Sequence, residues 1–199
     1  MKKDIILSGV GGQGILSIAT VIGEAATRRG INLKQAEVHG MSQRGGDVHS
    51  DLRLSTEEIY SDLIPMGRAD IIIAMEPMEA LRYVPYLNAD GMVITSNEPF
   101  VNIPDYPDTA LLTAALAALP RVRALNIETM AKSLHNPKGA NMILLGLAAP
   151  FIGIVTADEL RSAIGRIFER KGESIVRRNY EAFDLGLSKS TACREEVGI

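Results

Sequence analysis

The feature that most constrains this chain is a cluster of four glycines in the sequence GVGGQG at residues 9–14. A short apolar run at residues 4–8 comes before it and predicts a buried strand. Apolar side chains then recur at helical spacing until Gly30, which predicts a helix that ends there. A second apolar run at residues 33–38 completes a strand, turn, helix and strand, the order of a βαβ unit. The start of the chain therefore predicts a parallel α/β sheet.

The glycine turn has two interpretations. It contains G-x-G-x-x-G between a strand and a helix, the context in which small residues and free helix N–H groups bind a dinucleotide. Glu37, at the end of the second strand, is placed acceptably for a ribose. The alternative is that the glycines only let the strand and the helix pack closely. Residues 47–54 weaken the dinucleotide interpretation, because a nucleotide-binding half would place a helix there.

Residues 47–54 alternate between two kinds of side chain. Val48, Ser50, Leu52 and Leu54 share one face of an extended chain, and polar or charged residues occupy the other. This alternation predicts a half-exposed strand. We expect the strand at a sheet edge, where an antiparallel direction is open to it.

The rest of the chain continues the α/β pattern. Further strands are predicted at residues 71–75, 91–96 and 123–127, a proline-rich surface excursion at 97–108, and helices at 128–134, 140–152, 157–169 and 174–187. These elements predict one domain over residues 1–187 with a three-layer Rossmann-like α/β fold, a mostly parallel sheet and a helical C-terminal third. Residues 188–199 are predicted to form a flexible polar tail.

A single cysteine, Cys193, limits the chemistry that the chain can carry by itself. An internal disulfide is excluded. An iron–sulfur cluster or a cysteine-rich zinc site is excluded too, since each needs about four thiolates or an equivalent set. Any electron-transfer cluster must then lie on another chain. The lack of disulfides fits a reducing cytoplasm, where we expect the protein to work.

The formal net charge of −3 gives no support to binding of nucleic acid or of an anionic membrane. The apolar stretches at residues 110–119 and 142–155 fall short of the roughly 18–20 residues that cross a bilayer, and Pro150 interrupts the second. The opening residues lack the long apolar stretch of a signal peptide. We therefore expect no membrane span, no targeting segment and no nucleic-acid partner.

A second glycine-rich segment has the sequence EVHGMSQRGG at residues 37–46. Its glycines allow the backbone to approach another surface closely. Arg44 offers a planar fork of donors suited to carboxylate or phosphate. An ordinary solvated turn is the alternative. Ser42 and His39 could suggest a nucleophile and its base, but no nucleophile elbow or third member accompanies them, so we assign no catalytic residue.

A metal site is conceivable because His39 and His49 lie near three acids, Glu37, Asp47 and Asp51. His49 and Asp51 share one face of the predicted strand. No tight ligand cluster such as H-E-x-x-H exists, and alternating polar residues are normal on an edge strand. We therefore predict no metal site.

Basic side chains are frequent towards the end of the chain. Lys138, in a turn with Pro137 and Gly139, could contact an anion, although a solvated turn is the interpretation that we favour. A series of cations interleaved with acids on amphipathic helices indicates a solvated face. The members of this series are Arg161, Arg166, Arg170, Lys171, Arg177 and Arg178.

Taken together, GVGGQG at residues 9–14, EVHGMSQRGG at 37–46 and V-x-S-x-x-R at 48–53 resemble one family. It is the gamma-type subunit or domain of the 2-oxoacid:ferredoxin oxidoreductases. The form EVHGMSQRGG is most similar to the small (beta) subunits of the indolepyruvate branch. Further similarity lies in N-M-x-L-L-G at 141–146 and N-x-x-A-F-x-x-G at 179–186.

The resemblance implies a division of labour between subunits. In this family a large (alpha) partner holds thiamine diphosphate with Mg, together with the 4Fe-4S clusters. An aryl 2-oxoacid such as indolepyruvate is oxidatively decarboxylated with coenzyme A to an acyl-CoA, and the electrons leave to ferredoxin. This chain has too few cysteines for a cluster and lacks the family's thiamine signature. We therefore expect it to bind no cofactor alone.

We expect the two glycine-rich segments to lie together at the carboxyl ends of neighbouring strands, where open α/β sheets place their ligand crevices. There they would face the large subunit near its active site. The residues assigned to this surface are Gly11, Gly12, Gln13, Gly14, His39, Gly40, Met41, Ser42, Gln43, Arg44, Gly45 and Gly46.

Three alternatives stay open. The chain could serve a pyruvate or 2-oxoglutarate enzyme of the same family. It could be a stand-alone dinucleotide-dependent oxidoreductase with Glu37 at a ribose. It could also be a pure assembly module that binds no small molecule and exposes an apolar patch until its partner docks.

Overall fold

The computed structural model describes residues 1–39 and 46–192, which form a six-stranded sheet with helices on both faces. The strands are β1 (Lys2–Val10), β2 (Asn32–His39), β3 (Asp47–Ser55), β4 (Ala69–Ala74), β5 (Leu87–Ser96) and β6 (Val122–Leu125). The helices are α1 (Ile15–Arg28), α2 (Pro77–Arg82), α3 (Thr109–Ala117), α4 (Ile127–Ser133), α5 (Ala140–Ile152), α6 (Ala157–Phe168) and α7 (Glu173–Ala192). Across these described residues, none of the helices combines the length and the apolar character that a bilayer span requires.

The strand order in the sheet is β2-β3-β1-β4-β5-β6. Strands β1, β4, β5 and β6 are parallel neighbours, whereas β3 runs antiparallel to both β1 and β2. The prediction of a mostly parallel α/β sheet is therefore confirmed. The predicted edge position of residues 47–54 is wrong, because β3 lies inside the sheet and β2 forms the edge.

The polar face of β3 is covered by protein, which explains why alternation misled the prediction of its position. Asp51 is buried and accepts a hydrogen bond from the backbone N–H of Ile64 at 2.9 Å. Arg53 pairs with the buried carboxylate of Asp4 on β1, with 2.9 Å between Nε and Oδ1. Arg53 also donates to two carbonyls in the segment that follows β3. The polar side chains of β3 therefore find protein partners in place of water.

The core lies on both faces of the sheet, as three layers require. Ile5 and Leu7 of β1 pack into a large cluster with α1, α4, α5, α6 and α7. Ile6, which points the opposite way, packs into a smaller cluster with α2 and α3. A strand buried on both faces carries a continuous apolar run, which is the pattern that the sequence shows before the glycine turn. The predicted three-layer fold and helical C-terminal third are confirmed.

Helices α5 and α7 make the closest contact between helices, backbone against backbone. A Cβ atom at Gly146 would collide with the carbonyl oxygen of Phe183, and one at Gly186 with the carbonyl oxygen of Ile143. Each glycine therefore lets the other helix approach to a distance that a side chain would forbid. These glycines end the two motifs N-M-x-L-L-G and N-x-x-A-F-x-x-G, so those motifs have a packing role.

Helix α7 continues through Ala192, beyond residue 187, at which the sequence analysis places its end. Ser190 is buried, and its hydroxyl donates to the carbonyl of Leu187. Residues 188–192 are therefore helical. Residues 193–199, with Cys193, lie outside the described residues, so the flexible tail and the single-domain assignment of residues 1–187 stay predictions.

We expect Gly186→Ala to lower the free energy of unfolding by about 3 kcal/mol, because the new methyl group meets a helix backbone that cannot move aside. The control is Gly23→Ala inside α1, where the Cβ would meet only the Leu33 methyl at 3.2 Å. Alanine favours the helix by roughly 0.5–1 kcal/mol over glycine, so we expect Gly23→Ala to lose little or no stability. The chain has no tryptophan, so urea unfolding is followed by circular dichroism. Equal stability of the two variants would contradict the close packing of α5 and α7.

Candidate functional site

A crevice opens where the chain connections switch from one face of the sheet to the other. Strand β1 is followed by α1 on the face of the large core cluster, and its parallel neighbour β4 is followed by α2 on the opposite face. Helices that leave in opposite directions separate at the carboxyl ends of the two strands, and open α/β sheets bind ligands there. The glycine turn at residues 11–14 lies at this point.

Gln13 braces the glycine turn across the crevice. Its side-chain oxygen Oε1 accepts from the backbone N–H of Val10 at 2.8 Å. The backbone N–H of Gln13 donates in turn to the carbonyl of Val10 at 3.1 Å. Its side-chain Nε2 lies 3.5 Å from the carbonyl oxygen of Met75, just after β4. One side chain therefore closes the turn and joins the ends of β1 and β4.

Gly14 begins helix α1 in a left-handed conformation, with φ of 87°. Its carbonyl oxygen accepts a hydrogen bond from Nδ2 of Asn141 at 3.1 Å, and a Cβ atom on Gly14 would run into that amide. Among the described residues no side chain caps α1, and the first turn of the helix carries no acid. The partial positive charge of the helix N-terminus is therefore left available to a ligand. No atom of residues 1–39 or 46–192 lies within 4 Å of the position that a Cβ on Gly12 would take.

Two clefts flank the glycine turn. One, of about 330 Å³, lies towards β2 and β3 and includes Glu37 and Val48 in its wall. The other, of about 460 Å³, lies towards β4 and includes Phe100, Glu128 and Asn141. Burial raises the pKa of the Glu128 carboxyl, and the charge of Glu98 raises it further. The second cleft therefore combines a carboxyl group of weakened acidity with a buried amide and exposed glycine backbone.

Glu37 shares the first cleft with Gly11 and Gly12, as the dinucleotide interpretation requires. Its carboxylate accepts from Nε2 of Gln35 at 2.7 Å. However, β3 separates β2 from β1. Glu37 therefore stands one strand further from the glycine turn than in a sheet where the first two strands are neighbours.

The end of the second glycine-rich segment meets the glycine turn directly. The backbone N–H of Gly11 donates to the carbonyl of Gly46 at 2.8 Å, and Val10 pairs with Asp47 in the sheet register. Gly40, Met41, Ser42, Gln43, Arg44 and Gly45 lie outside the described residues, as does the side chain of His39. That these residues and the glycine turn face a partner stays a prediction.

Asn141 is the residue of this site that sequence reasoning missed. It is 8% exposed, its Nδ2 holds Gly14, and its Oδ1 has no hydrogen-bond partner among the described residues. The only signal was its presence in the motif N-M-x-L-L-G. A single amide at the start of an otherwise apolar helix, α5, is the observation that could have identified it.

His49 on β3 is half-buried and contacts the buried Tyr83 at the end of α2. The Tyr83 hydroxyl and Nδ1 of His49 share a hydrogen bond of 2.8 Å, and the ring centroids are 4.8 Å apart. Burial raises the pKa of Tyr83, so its hydroxyl keeps its proton, and burial lowers the pKa of His49. The imidazole is therefore neutral at pH 7. Within residues 1–39 and 46–192, no three His, Cys, Asp or Glu side chains gather as metal ligands.

Glu76 fixes the proline-rich excursion beside the crevice. Its buried carboxylate caps α2 by accepting from the N–H of Glu79 at 2.8 Å, and it accepts from the N–H of Phe100 and from the Tyr106 hydroxyl. Phe100 is thereby held at the wall of the second cleft, with 45% of its surface exposed.

We expect Gly14→Ala to destabilise the protein more than Gly30→Ala. Both glycines have positive φ, so each alanine costs about 1–2 kcal/mol in backbone strain. Only at Gly14 does the methyl group also collide with Asn141, since nothing lies within 4 Å at Gly30. Chemical denaturation of both variants measures the difference. A larger loss at Gly30 would contradict the contact between α1 and α5.

We expect His49→Gln to flatten the dependence of stability on pH between 7.5 and 5.5. Because burial lowers the folded pKa of His49, its contribution is complete above the unfolded value of about 6.5 and is lost as the pH falls below it. The charges of Asp51 and Asp47 raise the pKa of His49, but by less than burial lowers it. One proton changes the slope by at most about 1.4 kcal/mol per pH unit. Unfolding free energies measured at several pH values test this, and identical slopes for both proteins would refute it.

Comparison with known proteins gives one consistent result. A family model described as pyruvate ferredoxin/flavodoxin oxidoreductase matches residues 4–189. The chain is 33% identical to indolepyruvate oxidoreductase subunit IorB of Thermococcus kodakarensis over 100% of both chains. It is 34% identical to subunit IorB of Methanothermobacter thermautotrophicus over 94% of this chain and 96% of that one. The 2-oxoglutarate synthase subunit KorC of Methanothermobacter marburgensis is 28% identical over 82% and 85%.

A solved structure shares the fold over almost the same length. The gamma subunit of a keto/oxoacid ferredoxin oxidoreductase from Geobacter sulfurreducens superposes with a TM-score of 0.69 and 26% identity. The alignment covers 96% of this chain and 99% of that subunit. Both the family model and the curated relatives span nearly the whole sequence. The chain therefore belongs to the pyruvate ferredoxin/flavodoxin oxidoreductase family.

Proposed function

We propose that the chain is the small, cluster-free subunit of an indolepyruvate, or aryl 2-oxoacid, ferredoxin oxidoreductase. The observation that carries the proposal is the end-to-end similarity to indolepyruvate oxidoreductase subunits, which is higher and extends further than the similarity to the 2-oxoglutarate synthase subunit. The complex oxidatively decarboxylates the 2-oxoacid with coenzyme A to an acyl-CoA and passes the electrons to ferredoxin. A reducing cytoplasm suits a chain with one cysteine.

In this proposal the large subunit holds thiamine diphosphate, Mg and the 4Fe-4S clusters. This chain supplies no cluster ligands, since it has a single cysteine. Its contribution is the shape and charge of the crevice: open backbone at Gly12, the uncapped start of α1, and an exposed Phe100 at the rim. These features support a surface that closes against the partner near its active site.

The two glycine-rich segments form the partner-facing surface in this proposal, with Gln43 and Arg44 making polar contacts. The hydrogen bond between Gly11 and Gly46 supports it, because it brings the ends of the two segments together. Arg44 would direct its guanidinium to a carboxylate or a phosphate. The glycines give the partner access to the backbone.

A stand-alone dinucleotide-dependent oxidoreductase is the second candidate, because Glu37 lines the same cleft as the glycine turn. It predicts that the isolated chain binds a nicotinamide cofactor. The insertion of β3 between β1 and β2 speaks against it, since it moves Glu37 away from the helix N-terminus.

The test is co-expression with the candidate large subunit, followed by pull-down and a viologen-reduction assay with coenzyme A. We expect activity to need both chains and to be higher with indolepyruvate than with pyruvate or 2-oxoglutarate. Arg44→Ala should assemble normally and lose at least about tenfold in turnover, as expected for one lost charged contact. The control is Arg121→Ala, which removes an exposed arginine paired with Asp90.

Each of three results would overturn a part of the proposal. If the chains fail to associate while this one alone binds NAD or NADP, the dinucleotide candidate is correct. If the complex prefers 2-oxoglutarate or pyruvate, the chain serves another enzyme of the same family. If Arg44→Ala assembles and turns over normally, the segment at residues 37–46 does not shape the active site.

A further inference from the structure

A cationic groove lies behind the glycine turn, between the turn after α4 and the helices α6 and α7. Its volume is about 590 Å³. Three cations line it, Lys138 from the turn, Lys171 after α6 and Arg178 on α7, together with the amides of Asn141 and Asn179. No acidic side chain is among the described residues of its wall. This volume lies within the range of about 300–1,000 Å³ that is usual for small-molecule sites.

The cations of the groove differ from their neighbours on the same helices. Arg161, Arg166 and Arg177 each have a carboxylate within 4.0 Å. In residues 1–39 and 46–192, no such carboxylate lies near Lys138, Lys171 or Arg178. Lys171 lies over the Phe168 ring, with 5.2 Å from Nζ to the ring centroid, a contact that leaves its charge in place. Three cations without a carboxylate partner in one concave wall create a local positive potential, although the whole chain carries a net charge of −3. Lys171 and Arg178 are exposed, which agrees with the predicted solvated face, and they also line a groove whose described wall carries no acidic side chain.

Asn141 gives the groove a second, independent feature. It is nine-tenths buried, it lines both this groove and the crevice beside β4, and its Oδ1 accepts no hydrogen bond within the described structure. Its Nδ2 is already committed to the carbonyl of Gly14. Buried polar atoms in folded proteins are generally satisfied. The missing donor at Oδ1 therefore points to a bound molecule that carries an N–H or O–H group.

The wall of the groove is held in place by backbone contacts. Asn136 donates from Nδ2 to the carbonyl of Arg178 at 3.2 Å, and Gly139 donates from its N–H to the carbonyl of Asn136 at 2.8 Å. His135 has a φ of 51°, a left-handed conformation in a residue that has a side chain. These contacts tie the turn with Lys138 to α7, so its cation and that of Arg178 belong to one preorganised wall.

We propose that this groove binds a phosphorylated nucleoside, with its phosphate oxygens on Lys138, Lys171 and Arg178 and one of its N–H or O–H groups donating to Oδ1 of Asn141. Phosphate matches unpaired Lys and Arg side chains. The groove is also larger than a free phosphate ion needs. A free nucleotide and the nucleotide end of coenzyme A share this chemistry. Binding here requires neither the partner nor the oxoacid, so its outcome is independent of the turnover assay.

The test is calorimetric titration of the full chain with ADP, adenosine 3′,5′-bisphosphate or inorganic phosphate, at 50 and 200 mM salt. We expect at least one nucleotide to bind, more weakly at the higher salt because screening reduces the attraction. Stronger binding of ADP indicates a free nucleotide, and stronger binding of the bisphosphate indicates the coenzyme A end. Either result supports the site.

Matched variants separate a built site from diffuse attraction. Arg178→Gln and Lys171→Gln should each weaken nucleotide binding about tenfold, the effect of losing one charged hydrogen bond. Arg177→Gln removes the same charge one residue away, outside the groove, and should change binding less than twofold. These side chains are exposed, so circular dichroism should show all three variants folded.

Three outcomes would overturn the proposal. One is no nucleotide binding at 50 mM salt. Another is equal weakening by Arg177→Gln and Arg178→Gln, which would show attraction to the helix surface as a whole. The third is displacement of the nucleotide by an equal concentration of inorganic phosphate, which would show that the nucleoside part makes no contact with the groove.

Discussion

The hydrogen bond from Asn141 to the carbonyl of Gly14 joins the first helix of the chain to its C-terminal third at the candidate site. Helix α5 brings Asn141 to this position, and the contact with α7 at Gly146 and Gly186 holds α5 in place. The start of α1, the crevice beside β4 and the cationic groove are all arranged around this one amide. The helical C-terminal third therefore does more than cover the sheet, because it positions the glycine turn.

The strength of the sequence prediction depended on how local each signal was. The apolar run, the glycines and the helical spacing that follows lie within one short stretch, so they predicted β1, the turn and α1. The two glycine-rich segments were expected together at the ends of neighbouring strands. Gly11 and Gly46 are hydrogen-bonded, but β3 separates the strands β1 and β2 that precede the two segments. Residues 40–45 lie outside the described structure, so the part assigned to Arg44 stays a prediction.

Other features depend on partners that are distant in sequence, and no local pattern contains them. The polar face of β3 predicted an exposed edge, yet Asp4 and Ile64 bind Arg53 and Asp51 and bury that face. The motif N-M-x-L-L-G contained Asn141 but did not indicate its role, because its hydrogen-bond partner lies 127 positions earlier in the chain. Lys171 and Arg178 belonged to a basic series that looked uniform. In the structure they line one groove with Lys138, whereas Arg161, Arg166 and Arg177 pair with carboxylates outside it.

The position of β3 has a consequence for how accurately the second glycine-rich segment is placed. Strands β2 and β3 form a hairpin that joins the rest of the sheet only through the pairing of β3 with β1. A slip of one residue in that pairing would turn Arg53 and Asp51 to the opposite face, away from Asp4 and Ile64. The ion pair between Asp4 and Arg53 therefore makes misaligned pairings of the hairpin less stable. The correct alignment places Gly46 beside Gly11 at the other end of the β1–β3 pairing.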